Sequence, residues 1–199
     1  MELEMDAKYF RDLAKEDYKK YSNKGALTTL VYQAILGAGS AATIGVGALV
    51  LPGVMGYGYS YYTKEVKNDS EQLSNLFKGF DKFLNTFLLG LLLEIYVALW
   101  TLLLIVPGII KSLAYSMAYF IMVDNPEMSS NDAITESKEM MNGYKWRLFC
   151  LLFSYIGWHL LAILTLGILE FWITPKIKMA EYEFYLEIKK NPRQETVTE

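Results

Sequence analysis

Two ionisable side chains stand inside long apolar runs, where ionisable side chains are costly. Glu94 is the only charged residue in 83–106, and His159 is the only acidic or basic residue in 148–169. An ionisable group at membrane depth is by default a functional hypothesis. Glu94 and His159 fall at similar depths in their runs, which makes them a candidate intramembrane pair or proton relay. The structural alternative is a protonated Glu94 that hydrogen-bonds a neighbouring helix, because burial favours the neutral acid. Lys111, Lys176 and Lys178 form a second set: candidate contacts to a phosphate headgroup, or plain interfacial anchors whose long side chains reach for water. With one cysteine and one histidine in 199 residues, there is too little for a cysteine- or histidine-rich metal site. No nucleophile–base pair or phosphate-cradling loop is visible. The expectation is a protein that is not an enzyme, with no catalytic, cofactor-binding or metal-binding residues and no cofactor.

The elements that carry these residues are three long runs, 26–50, 83–106 and 148–169, each long enough to cross a bilayer. A span needs roughly 20 mostly apolar residues, because the hydrocarbon core is about 30 Å thick and a helix rises about 1.5 Å per residue. Hydrophobic residues make up 53% of the chain and aromatic ones 15%. They come in blocks, a pattern that excludes an ordinary soluble domain. The net charge of −3 gives no global attraction to nucleic acid. The charged, amphipathic N-terminus has no apolar core ahead of Gly25, which argues against a cleavable signal peptide.

The chain also reads as a threefold repeat, with units at about 5–66, 70–123 and 130–190. Each unit has a short polar helix ending at a glycine (Gly25, Gly79, Gly143), a long apolar run, a break and a shorter tyrosine-rich segment. The breaks are placed at Pro52-Gly53, at Pro107-Gly108, and at Gly167 with Pro175. Basic residues gather in four clusters: Lys8 to Lys24, Lys64 to Lys82, Lys138 to Arg147, and Lys189 to Arg193. If each long run turns back and its tyrosine segment returns through the membrane, all four clusters share the cytoplasmic side, as the positive-inside rule favours. Only Lys111, Lys176 and Lys178 then lie toward the outside. The expected fold is therefore an all-α, polytopic helical membrane protein of one domain, with three repeats, about six membrane helices and both termini cytoplasmic.

Smaller features fit that picture. Gly37, Ala41 and Gly45 recur every four residues, a spacing that lets helix backbones approach closely. Asp124-Asn125-Pro126 reads as a corner, since proline restrains the residue before it and Asp and Asn form turns. The tyrosines of the returning segments, among them Tyr57, Tyr59, Tyr62, Tyr115, Tyr119, Tyr182 and Tyr185, suit a membrane-interface belt. An aromatic path for an amphiphile is the other reading.

Leu76-Phe77-Lys78-Gly79-Phe80, Val106-Pro107-Gly108-Ile109-Ile110-Lys111, Asp124-Asn125-Pro126, Lys145-Trp146-Arg147 and Ser154-Tyr155-Ile156-Gly157-Trp158 follow in order along the chain. With these motifs the sequence resembles an uncharacterised family of Gram-positive integral membrane proteins, the domain of unknown function nine hundred and seventy-five. More distantly it is similar to the membrane region attached to some glycerophosphodiester phosphodiesterases. The resemblance implies a membrane fold and a bacterial plasma membrane, and no activity. Glu94 and His159 depart from the family pattern. The expected function is a lipid-interacting scaffold that helps the envelope tolerate stress or antimicrobial peptides. The alternative is a small proton-coupled transporter using Glu94 and His159. Membrane lipids and a homo-oligomer are the expected partners, and nucleic acid is not.

Overall fold

A computed structural model of the chain describes residues 6–43, 47–70, 72–103 and 105–190, and among them every regular element is helical. Two antiparallel hairpins come first. Helix α1 (Ala7–Ala42) turns back into α2 (Gly47–Lys67), and the pair is held by a 2.7 Å hydrogen bond between Thr29 Oγ1 and the Tyr59 hydroxyl. A 3₁₀ helix, Leu73–Lys82, runs directly into α3 (Phe83–Leu103), which folds back on α4 (Ile105–Tyr115). Then follow α5 (Ala118–Asp124), α6 (Ser130–Met140), α7 (Lys145–Phe153) and α8 (Ile156–Leu164). A turn through Leu166 and Gly167, both at positive φ, leads to α9 (Glu170–Lys190).

The prolines sit inside helices and do not end the long runs, which corrects the breaks expected at Pro52-Gly53 and Pro107-Gly108; the break expected at Gly167 does fall between α8 and α9. Pro107 is the third residue of α4; in a first turn the missing N–H costs nothing, because that donor has no intrahelical acceptor. Pro52 and Pro175 each lie five residues into α2 and α9. The prolines therefore mark the starts of returning helices. The 26–50 run is split accordingly, its first part ending α1 and its last part opening α2.

Two of the three expected helix-ending glycines are also helix-internal. Gly25 lies within α1, where an added Cβ would stand 2.7 Å from the Tyr18 ring and 3.3 Å from Pro175 Cβ. A glycine inside a helix costs about 1 kcal/mol relative to alanine, and here the close approach of α9 to α1 offsets it. Gly79 is inside the 3₁₀ helix, its Cβ position 2.0 Å from the Val54 carbonyl oxygen. Only Gly143, at φ 77°, follows a helix end as expected. Helix α6 begins at a true cap, with Ser129 Oγ accepting from the Asp132 N–H at 3.2 Å.

Helix α5 is the centre of the core. Ala118, Phe120, Ile121, Met122 and Val123 are all buried, and Phe120 meets the rings of Tyr182 and Tyr185 at 5.3 and 5.6 Å. Ser137 of α6 bridges the step between α4 and α5, donating to the Ala114 carbonyl at 2.8 Å and accepting from the Met117 N–H at 3.2 Å. Among the described residues, three stretches are long and apolar enough to cross a membrane: Leu73–Leu102, Val106–Asp124 and Lys145–Leu164. In the first and third, only 17% and 22% of the most apolar window is buried, against 56% in the second. Helices α3, α7 and α8 thus turn apolar side chains outward, as a lipid-facing surface requires.

Candidate functional site

His159 and Glu94 have different surroundings. His159 Nδ1 stands 3.2 Å from Glu170 Oε2, and Thr174 Oγ1 donates to the other Glu170 oxygen at 3.1 Å. The reason is topological: α8 folds back on α9 through the 165–169 turn, so the first residue of α9 falls opposite His159. Glu94, half-buried on α3, has no hydrogen bond or ion pair among the described residues. The expected Glu94–His159 pair is replaced by His159–Glu170.

The three lysines expected at one headgroup are likewise divided. Lys111 lies over the Trp100 ring at 4.5 Å, within the α3–α4 hairpin. Lys178 is bound to Glu181 at 2.7 Å. Lys176 stands 5.3 Å from the Tyr18 ring and 6.0 Å from the Trp158 ring. It therefore lies beside the polar first half of α1 and not on an opposite face. The small-residue stripe is open within the chain: Gly37 has nothing within 4 Å of its Cβ position, Ala41 is exposed, and Gly45 lies outside the described residues. Close packing falls to other glycines. The Cβ of Gly90 would lie 2.3 Å from Gly53 Cα, and that of Gly58 would lie 1.8 Å from the Leu76 carbonyl oxygen. Tyr57, Tyr59, Tyr62, Tyr115, Tyr182 and Tyr185 are buried, so these six belong to the core and not to an interface belt.

Two polar clusters at the C-terminal ends of α2, α5 and α9 escape a reading of the sequence. Asp124 binds Lys64 at 2.8 Å and the Tyr185 hydroxyl at 2.7 Å, and its second oxygen also takes Lys189. Lys67 spans Asp17 at 2.7 Å and Glu183 at 2.6 Å. Burial pushes the Glu183 carboxyl above the usual carboxylate range, against the opposing pull of Lys67. The only sequence signal was the corner at Asp124-Asn125-Pro126. Asn125 does cap α5, but nothing local announces that Asp124 collects partners from two distant helices.

A groove of about 410 Å³ opens between α1, α8 and α9. Lys8, Arg11 and Lys15 line it from α1 and Lys176 from α9, with Asp12 as the single carboxylate. Tyr155, Trp158, Leu169, Trp172 and Ile173 complete the lining. Lys8, Arg11 and Lys15 are spaced by three and four residues, which sets them on one helix face. None of the four cations has an ion-pair partner among the described residues.

Fold and site together define an all-helical protein with three helices fit to cross a membrane and a cation-lined, aromatic-walled groove. Residues 101–192 match the model of the family described as protein of unknown function DUF975, the family that the motifs resembled. The motif 76–80 lies outside the matched stretch. No curated protein and no solved structure matches the chain.

Proposed function

We propose that the protein is an integral membrane scaffold that interacts with lipid, its first two helical hairpins crossing the bilayer and its polar ends gathered on the cytoplasmic side. The observation that carries this reading is the division of the surface. Leu84, Leu99 and Leu102 on α3, and Leu160, Ile163 and Leu164 on α8, are exposed apolar side chains. The cations Lys64, Lys67, Lys176 and Lys189 meet residues of the polar first half of α1 or the C-terminal ends of α5 and α9. Lys176 and its neighbour Lys178, on the inner side, add to the charge that the positive-inside rule counts there. Anionic lipid is the economical partner for basic residues at span entrances such as Lys145 and Arg147. In such a scaffold no residue is asked to make or break a bond.

Topology is tested with single cysteines in a Cys150→Ser background, labelled from outside intact cells. Label at Thr43, with none at Gln72, Thr135 or Leu166, is the expected result; label at Gln72 refutes the two crossing hairpins. Native mass spectrometry of the gently extracted protein tests lipid interaction: retained phosphatidylglycerol in excess of its membrane share is expected, and a share-proportional lipid profile refutes it.

A second reading, proton-coupled transport, rests on Glu94, a carboxylate in an apolar helix with no partner among the described residues. Proton uptake by proteoliposomes, lost in Glu94→Gln, is its test.

A further inference from the structure

We infer that the groove between α1, α8 and α9 is a binding site for one anionic phospholipid, its phosphate held by Arg11, Lys15 and Lys176 and an acyl chain laid along Trp158 and Trp172. This deepens the lipid-scaffold reading and rests on it.

The charge pattern comes first. At the C-terminal ends of α2, α5 and α9, lysines have partners: Lys64 and Lys189 meet Asp124, and Lys67 meets Asp17 and Glu183. In the groove four cations line one space with a single carboxylate, Asp12, and none forms an ion pair among the described residues. Like charges three and four residues apart on a helix repel each other, and Asp12, four residues from Lys8 and three from Lys15, offsets only part of that repulsion, so the lining keeps a net positive charge that an anion would neutralise. Arg11 and Lys176 are half-buried, which lessens the screening an exposed pair would feel.

The aromatic part of the lining decides which anion. A free phosphate or a soluble polyanion gains nothing from apolar surface, and beyond the two indole N–H groups and the Tyr155 hydroxyl this part of the lining is apolar. An acyl chain needs such a wall. Trp158 is 50% exposed and Trp172 is 39% exposed, and both belong to the α8–α9 hairpin, whose neighbouring residues Leu160, Leu161 and Ile168 are also exposed and apolar. A volume of about 410 Å³ is within the usual range for a small-ligand site. It suits a headgroup and the first part of a chain whose remainder lies in the bilayer. A zwitterionic headgroup brings its own ammonium to a site already crowded with cations, so discrimination against phosphatidylcholine is built in.

The full chain with Trp100→Phe and Trp146→Phe keeps only the two groove tryptophans of the four in the sequence. It is placed in nanodiscs containing brominated phosphatidylglycerol or brominated phosphatidylcholine at equal mole fraction. Stronger fluorescence quenching by the glycerol lipid is expected. Removing one cation lowers the preference about fivefold, and Arg11→Gln with Lys15→Gln and Lys176→Gln abolishes it. Lys138→Gln, outside the groove, leaves it unchanged. Equal quenching by the two lipids before any charge is removed overturns the site without depending on how a variant folds. A preference that survives the triple substitution overturns it too. Relief of quenching by millimolar inorganic phosphate assigns the cations to a free anion and overturns the lipid. Excess phosphatidylglycerol by mass spectrometry with equal quenching refutes the groove alone; a share-proportional lipid profile refutes the scaffold reading beneath it.

Discussion

Asp124→Asn removes one charge from the point where three helices meet, and its cost follows from the geometry. Asparagine keeps the shape and one acceptor oxygen, so no cavity opens. What is lost is charge. Lys64 and Lys189 are 28% and 48% exposed at their side chains, and each pair is worth at most about 1 kcal/mol at such exposure. The Tyr185 hydroxyl is different: Tyr185 is 1% exposed, and its 2.7 Å bond to a carboxylate is of the kind worth about 1.5–3 kcal/mol. Part of that bond survives with a neutral acceptor. A net loss of about 2 kcal/mol is expected, or about 4–8 °C in Tm at the 2–4 °C per kcal/mol usual for a chain of this size. The assay is thermal unfolding of the purified protein in detergent, followed by size-exclusion chromatography. Tyr185→Phe alone and combined with Asp124→Asn complete a double-mutant cycle, which should show coupling above about 0.5 kcal/mol. A Tm within 1 °C of the parent, or strictly additive losses, refutes the view that Asp124 ties α2, α5 and α9 together.

Gly58→Ala forces a Cβ against the Leu76 carbonyl, a backbone atom that cannot rotate away, and should cost about 1–3 kcal/mol or more; Gly37→Ala, facing open space, should be neutral or slightly stabilising in the same melt. Equal behaviour of the two would remove the close α2 contact. Glu94→Gln should leave Tm unchanged or raise it, since no described partner is lost, and in a scaffold it leaves proteoliposome proton flux at the background level of the parent. Glu183→Gln should leave Lys67 with Asp17 alone and lower Tm by less than Lys67→Met, which strips both carboxylates of their cation.

Composition and hydropathy alone determined that this is an all-helical chain with membrane-length apolar segments, because bilayer thickness and backbone hydrogen bonding set run lengths that read directly from residue order. The cap at Ser129 and the left-handed turn at Gly143 were local, and local chemistry sufficed for them. Pro52, Pro107 and Pro175 were legible as special positions but not as helix starts, since a proline is compatible with a break before or after it, and only the hairpin partners choose. Gly25 and Gly79 look like stops in one dimension; in three, Gly79 is a point where another helix comes too near for a Cβ, and at Gly25 the Tyr18 ring of the same helix fills that place with Pro175 of α9 close by. The groove and the Asp124 cluster were decided by tertiary structure altogether. Arg11 and Lys176, or Lys64, Asp124 and Tyr185, are far apart in sequence, and charges attract or repel across space according to how helices pack, which no spacing rule along one helix contains.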